Sequence, residues 1–325
     1  MDKTNHLRNL PLKVVVFATN TVAIPTINQL AQQGRLAGVI ITGQLDPAQY
    51  QLESWLHHNG LTYVKYDSAE TVEIPTQLQR WEADLGLAFS FPLSFDASLL
   101  DQLHLGAFHV HVAPLPKYKG PQPLYWQIRN GEVETTLAIQ KVEAVSDEDE
   151  GGIAMQQSLT IDPLDTYQSL ENRVAQQLPL FIGQFIEHLQ EVQGALEFNS
   201  LSGESSSAPL PEQTDLYVDW SSMNSQQIAN MARAGNAQFG GCVLLLGQTP
   251  INLLQATPVV HPTYGVNPGT ICHIGEPEGV IVATHQGAVK LDVLSGADGV
   301  FSGLSFAERF QINAGMEFST VSGRP

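Results

Sequence analysis

Residues 12–42 read LKVVVFATNTVAIPTINQLAQQGRLAGVIIT. Residues 12–19 form an apolar run, the pattern of a strand buried on both faces of a parallel sheet. Ile24, Ile27, Leu30 and Ala31 then recur at helical spacing. Residues 37–42 (AGVIIT) read as a second buried strand. The unit is βαβ and opens a doubly wound α/β sheet. Working outward, helices are predicted at 51–58, 77–83, 124–130 and 166–189. Further strands are predicted at 61–66, 85–89, 107–112 and 135–142. Residues 1–11 are polar, lack the apolar core of a signal peptide, and read as a short disordered leader.

Composition changes at residues 201–213 (LSGESSSAPLPEQ), where small polar residues and prolines read as a linker. Beyond it a helix is predicted at 229–234. Short strands at 243–246, 251–254, 279–284 and 288–294 are separated by Gly, Pro and Asn. That spacing suggests a small β-barrel of the oligonucleotide/oligosaccharide-binding (OB-like) kind. The expected organisation is therefore a catalytic domain over 12–200, a linker over 201–213 and an OB-like domain over 214–325. No internal repeat is seen.

The 325 residues are 43% hydrophobic and 15% charged, enough to bury the cores of two domains. No run of about 18 apolar residues is present, so no membrane role is expected. The cysteines, Cys242 and Cys272, lie thirty residues apart with no Cys-x-x-Cys spacing. Neither a structural metal site nor a disulfide framework is expected, and buried thiols suit a reducing, cytoplasmic setting. The net charge is −18. Residues 1–200 carry 11 Lys+Arg against 23 Asp+Glu, and 201–325 carry 4 against 10. Nucleic-acid affinity comes largely from cations that neutralise phosphates, so a bulky RNA partner is disfavoured.

Chemistry concentrates in residues 106–123, GAFHVHVAPLPKYKGPQP. His109 and His111 stand two apart on a predicted strand, so both imidazoles share one face. They fall near the strand's carboxyl end, where open α/β sheets bind ligands. The loop that follows is stiffened by Pro and Gly and carries Lys117 and Lys119. A second segment, residues 143–153 (EAVSDEDEGGI), is an acidic loop closed by two glycines.

At these residues the chain resembles the 10-formyltetrahydrofolate-dependent formyltransferases. That family includes methionyl-tRNA formyltransferase and the nucleotide-sugar amine formyltransferases. Its Asn-x-His-x-Ser-Leu-Leu-Pro is matched by His109-Val110-His111-Val112-Ala113-Pro114-Leu115-Pro116. Its basic-Gly loop is matched by Lys117-Tyr118-Lys119-Gly120, and its Asp-x-Gly-x-Ile by Asp149-Glu150-Gly151-Gly152-Ile153. Asn130-Gly131-Glu132 with Thr135, Asp219-Trp220-Ser221 and residues 268–271 and 279–284 extend the likeness to almost the whole chain after residue 12. The resemblance implies His111 as catalytic histidine, Asp149 as its carboxylate, and His109 in the place of the oxyanion-binding asparagine. Ala113 stands where the family has serine. The spacing from His111 to Asp149 is two residues longer than the family's, so Asp147 is the alternative carboxylate. The resemblance further implies formyl-folate as co-substrate, held between Phe89-Ser90-Phe91-Pro92-Leu93 and the loop with Val145 and Asp147. Lys117, Lys119, Gly120 and Pro121 would meet the acceptor.

In tRNA formyltransferases a basic insertion follows the second strand. Here residues 43–65 are short and Lys65 is their only cation, which favours a small amine over tRNA: an amino sugar, a nucleotide sugar or a carrier-bound aminoacyl group. Lys117, Lys119 and Arg129 are the candidate phosphate contacts. Three alternatives stay open, the first being methionyl-tRNA formyltransferase, since the two-domain layout resembles that subfamily. His109-x-His111 with an acidic residue would make a metal-dependent hydrolase. The lost Asn and Ser would suit a catalytically impaired relative that retains a ligand pocket. A nicotinamide dehydrogenase is opposed by Ala18-Thr19-Asn20-Thr21, which lacks the glycine turn needed beside a pyrophosphate.

Overall fold

The computed structural model describes residues 11–43, 47–66, 74–91, 95–144 and 151–320. It divides into two compact units. One comprises residues 1–117, 136–159 and 171–206; the other comprises 118–135, 160–170 and 207–325. The division therefore crosses the chain several times, drawing residues 118–135 and 160–170 into the unit of the C-terminal part.

The first unit is built on a seven-stranded sheet. In chain order come β1 (Val14–Ala18), α1 (Ile24–Gln32), β2 (Leu36–Thr42), α2 (Pro47–His58), β3 (Tyr63–Tyr66), α3 (Ile74–Trp81), β4 (Leu85–Phe89), α4 (Ala97–Leu100) and β5 (Ala107–Val112). Next in the chain are α5 (Pro123–Asn130), which belongs to the second unit, then β6 (Glu134–Lys141), β7 (Ile153–Thr160) and α6 (Tyr167–Glu191), whose first residues also fall in the second unit. The strand order is β3-β2-β1-β4-β5-β6-β7. Pairings from β3 through β5 are parallel, and β6 returns antiparallel to β5. The chain winds outward from β1 to β3, then crosses back to β4 on the other side of β1. That reversal is a switch point, and its crevice opens at the carboxyl ends of β1 and β4.

The sequence dictates this arrangement locally. β1 and β4 are buried at every residue, as a central strand covered on both faces requires. Asn20 ends the first strand's run: its side chain accepts a hydrogen bond from the Val22 amide, and Pro25 in the first turn of α1 fits helix geometry. Phe17, Phe91 and Phe95 meet edge to face beneath the crevice, with Phe17 5.5 Å from Phe91 and 5.0 Å from Phe95. β7 escapes an apolar-run reading because Gln156, Gln157 and Ser158 face solvent on an edge strand.

The second unit holds α7 (Ser225–Gly235), β8 (Cys242–Leu246), β9 (Thr249–Val259), β10 (Ile271–Gly275), β11 (Gly279–Ala283), β12 (Ala288–Gly296), β13 (Gly299–Ser302) and α8 (Gly303–Arg309). The strands run antiparallel in the order β10-β11-β12-β9-β8, with β13 on β12. Register shifts where β12 meets β9 bend the sheet as bulges do, in keeping with a small barrel-like domain. The free side of β8 is covered by bridges to Tyr217 and Ser319, which blunts an open edge. Its core holds Trp220 stacked on Phe318 at 5.6 Å, with Ile228 and Met231 of α7. Asn224 and Gln227 close a capping box at the start of α7.

β9 runs beyond the predicted 251–254, and β10, β13 and α8 were not predicted; their apolar residues are too few to stand out. Cys242 is buried, as expected, whereas Cys272 is only partly so. Among the described residues, no helix is long and apolar enough to cross a membrane.

Candidate active site

His109 and His111 lie on the last residues of β5, directly opposite Gln140 and Ala138 of β6. Cross-strand partners share a face of the sheet, so the two imidazoles and the Gln140 side chain stand on one side, and Ala138 leaves room over His111. The imidazole centroids are 5.5 Å apart. Phe95 presents its edge to His109 at 5.6 Å. Both histidines are half-buried, and Nε2 of His111 is shielded from solvent.

Gln140 was not anticipated from the sequence. It is buried, and its Nε2 donates to the Gly151 carbonyl at 2.9 Å. The Lys141 amide donates to the Gly152 carbonyl at 3.0 Å. The root of the acidic loop is thus sewn to the strand facing the histidines. A Cβ on residue 151 would lie 1.8 Å from the Lys141 carbonyl oxygen, which explains a glycine there. Val145, Asp147 and Asp149 lie outside the described residues. Glu143 at the loop's start is exposed and pairs with Lys141 at 2.9 Å.

At the neighbouring crevice lies the segment from Phe89 to Phe91, which the resemblance puts against the co-substrate although residue type alone reads both phenylalanines as core. The structure places both in the core, 4% and 5% exposed. Between them Ser90 is exposed at φ +47°, and its carbonyl accepts from Thr19 Oγ1 at 3.2 Å. The turn therefore presents Ser90 rather than its rings to solvent. Pro92 and Leu93 lie outside the described residues.

In the second unit, Tyr118 anchors the basic loop. Its hydroxyl donates to Glu132 at 2.7 Å and accepts from Asn130 at 3.2 Å. Burial foremost, then the bond to Glu132, pushes the phenol up to about 12. Tyr118 takes φ +59° and Gly120 φ +134°, so the loop's path is set by two left-handed residues. Lys119 is half-buried and Pro121 exposed; in the first unit, Lys117 is exposed. Arg129, expected as a phosphate contact, is instead committed: its guanidinium lies 4.9 Å over Trp126 and 3.7 Å from Asp215, with its side chain 11% exposed. Tyr118 and Glu132 belonged to the quoted motifs, yet their partnership spans a helix and leaves no local pattern. Among the described residues, no three His, Cys, Asp or Glu side chains gather to hold a metal ion.

A doubly wound sheet with polar side chains grouped at the carboxyl ends of its strands defines an open α/β protein with its ligand crevice there. The formyl transferase family model matches residues 12–183, and the formyl transferase C-terminal domain model matches 212–308. The chain belongs to the formyl transferase family. It is 26% identical over 298 residues to methionyl-tRNA formyltransferase of Geobacter metallireducens, covering 87% of this chain and 90% of that protein. It is 28% identical over 288 residues to that of Thermotoga maritima, covering 86% and 89%. Among solved structures, WlaRD, a sugar 3N-formyl transferase crystallised in the presence of dTDP and 5-N-formyl-THF, shares the fold with a TM-score of 0.61 at 15% identity. That match covers 86% of this chain and 97% of WlaRD. The N-formyltransferase of Helicobacter canadensis, in complex with folinic acid and dTDP-3-aminofucose, gives 0.58 at 16% identity, covering 86% and 98%. HypX of Aquifex aeolicus, in complex with tetrahydrofolic acid, gives 0.59 at 14% identity. There the chain covers 94% of itself and spans about half of HypX, 48%.

Proposed function

We propose that this formyl transferase moves the formyl group of 10-formyltetrahydrofolate to the nitrogen of a small amine, in the cytoplasm. The observation that carries the reading is the His109–His111 pair on one face at the carboxyl end of β5, beside the switch-point crevice. The folate supplies the activated formyl carbon. The exposed Ser90 turn at the crevice suits the hydrogen-bonding edge of a pteridine.

The acceptor nitrogen attacks the formyl carbon and forms a C–N bond, leaving an oxyanion. His109 donates an N–H to that oxygen, the task of a positioned hydrogen-bond donor. His111 takes the proton lost from nitrogen, and Asp149, or Asp147 in its place, favours the charged imidazole. The bond to N10 then breaks, and N10 recovers a proton. The products are the formylated amine and tetrahydrofolate.

Lys117, Lys119, Gly120 and Pro121 are the residues proposed to meet the acceptor. A small amine is favoured over tRNA by the −18 net charge and by the engagement of other cations. Lys65 is paired with Glu53 at 2.7 Å, and Arg129 is held as described. The test is calorimetric titration with tetrahydrofolate and a stable 10-formyl analogue, for wild type and His111→Ala, followed by an acceptor panel. Micromolar folate binding and formylation of an amino sugar, nucleotide sugar or carrier-bound aminoacyl group is the expected result. Failure of either folate ligand to bind sinks formyl transfer; tight, salt-sensitive binding and formylation of initiator tRNA sinks the small-amine reading.

A further inference from the structure

The structure assigns residues 205–209 a role beyond that of a tether: they form a strap that fixes the backbone of loop 117–122 for recognition of the acceptor. This rests on the proposal that the loop meets the acceptor. Six contacts follow in chain order. Ser205 Oγ donates to the Pro116 carbonyl at 3.3 Å. The Ser206 amide donates to the same oxygen at 3.4 Å. Ser207 pairs with Lys119 as a parallel β-bridge. The Ala208 amide donates to the Lys119 carbonyl at 2.6 Å, and the Ala208 carbonyl accepts from the Gln122 amide at 3.0 Å. Trp126 Nε1 donates to the Pro209 carbonyl at 2.8 Å.

Ala208 is the pivot. It is fully buried, and it is the one buried residue in 201–213. Its backbone passes so near Gly120 that a Cβ there would lie 2.6 Å from the Ala208 carbonyl oxygen. With Gly120 at φ +134°, a side chain at that position is excluded by conformation and by space. Pro209 favours extended backbone at Ala208, the shape a bridging segment needs. The run Ser-Ser-Ser-Ala-Pro is thus a sequence of small side chains that lets one backbone lie against another. The loop itself, Lys-Tyr-Lys-Gly-Pro-Gln, lacks the periodicity to order itself. It starts five residues after Val112, the end of the histidine strand. Ala208 is therefore a positioning residue: it touches no reacting atom but sets where the Lys119 and Gly120 backbone stands.

Ala208→Pro removes the amide that bonds Lys119. Two readouts are made on the full chain: hydrogen exchange at the Gln122 amide, and steady-state kinetics with the acceptor identified in the panel. Exchange at Gln122 is expected to quicken at least about tenfold, and the acceptor KM to rise about tenfold, the scale of one lost hydrogen bond. kcat and the KM for the formyl donor stay within about twofold, a split that general destabilisation does not produce. If Ala208→Pro does not fold, Trp126→Phe removes the indole N–H to Pro209 and is read in the same two ways. Unchanged exchange overturns the strap. Faster exchange with an unchanged acceptor KM overturns its role in recognition, while folate titration independently reports whether the formyl-transfer reading stands.

Discussion

The two sheets of this chain solve opposite problems. The antiparallel sheet of the second unit is closed around apolar groups. Trp220 stacks on Phe318, α7 lays Ile228 and Met231 on the strands, and the buried thiol of Cys242 is pushed up to about 12 by burial alone in first place. The parallel sheet does the same along β1 and β4, then departs from it at the carboxyl end of β5. There β5 carries two imidazoles, and β6 sets a buried amide opposite them. Burying polar groups costs free energy unless each is hydrogen-bonded, and Gln140 meets that demand through Gly151. Polar side chains at a strand end, where hydrophobic ones would pack more cheaply, mark the region that serves reactivity rather than stability.

A crossed pair of substitutions tests that contrast most directly. His111→Ala should lower formyl transfer roughly 10²–10⁴-fold, the usual contribution of a proton-transferring group. Its melting midpoint should move by less than about 4 °C, corresponding to roughly 1 kcal/mol. Trp220→Ala should do the reverse, destabilising the chain by about 3–5 kcal/mol through the cavity it leaves. Denaturant unfolding and single-turnover transfer, measured on both variants, decide the matter. A His111→Ala protein as destabilised as Trp220→Ala, with transfer intact, would make the histidine face a second packing core.

How much of this was legible in the sequence follows from periodicity. β1, β2 and β4 are near-continuous apolar runs in a βαβ frame, and β5 alternates apolar residues with His109 and His111, so the parallel sheet and the location of both histidines near a strand's carboxyl end could be read directly. β7 and β13 could not, because an edge strand needs only one apolar face and these expose much of the other. The stretch 201–213 has the composition of a linker, and composition is silent about backbone pairing: nothing in Ser-Ser-Ser-Ala reports that Ala208 is buried. Phe89 and Phe91 read as core on residue type and as ring flanks only through the family resemblance, and burial places them in the core. The bonds Gln140–Gly151 and Tyr118–Glu132 join residues eleven and fourteen apart, separations that only the tertiary fold defines.

A smaller effect is expected where the basic loop is tied down in the second unit. Tyr118→Phe keeps the ring and deletes the hydroxyl that donates to Glu132 and accepts from Asn130. A hydrogen bond to a charged group contributes about 1.5–3 kcal/mol, so urea unfolding should register a loss in that range, well below Trp220→Ala. The acceptor KM should rise with it while folate affinity holds. A loss in folate affinity instead would transfer the loop's role to the donor.

The smallest effect is at Cys242, and it tests whether the second sheet is as closed as its packing implies. Burial raises this thiol from an ordinary value near 9 to about 12. A raised value means that the folded state keeps its proton after the unfolded state has lost it. The stabilising contribution is therefore complete below about pH 9 and fades as pH climbs toward 12. Between pH 7 and 9 stability should be flat with respect to this group, and a thiol reagent should not label Cys242 in the folded protein. Cys272, only partly buried and raised by a desolvation that is incomplete, should label first. Mass-spectrometric mapping of a maleimide time course at pH 8 reads both sites at once. Prompt labelling of Cys242 in the absence of denaturant would mean that the second sheet opens locally with a low free energy, and the contrast between a closed sheet and a reactive edge would be lost.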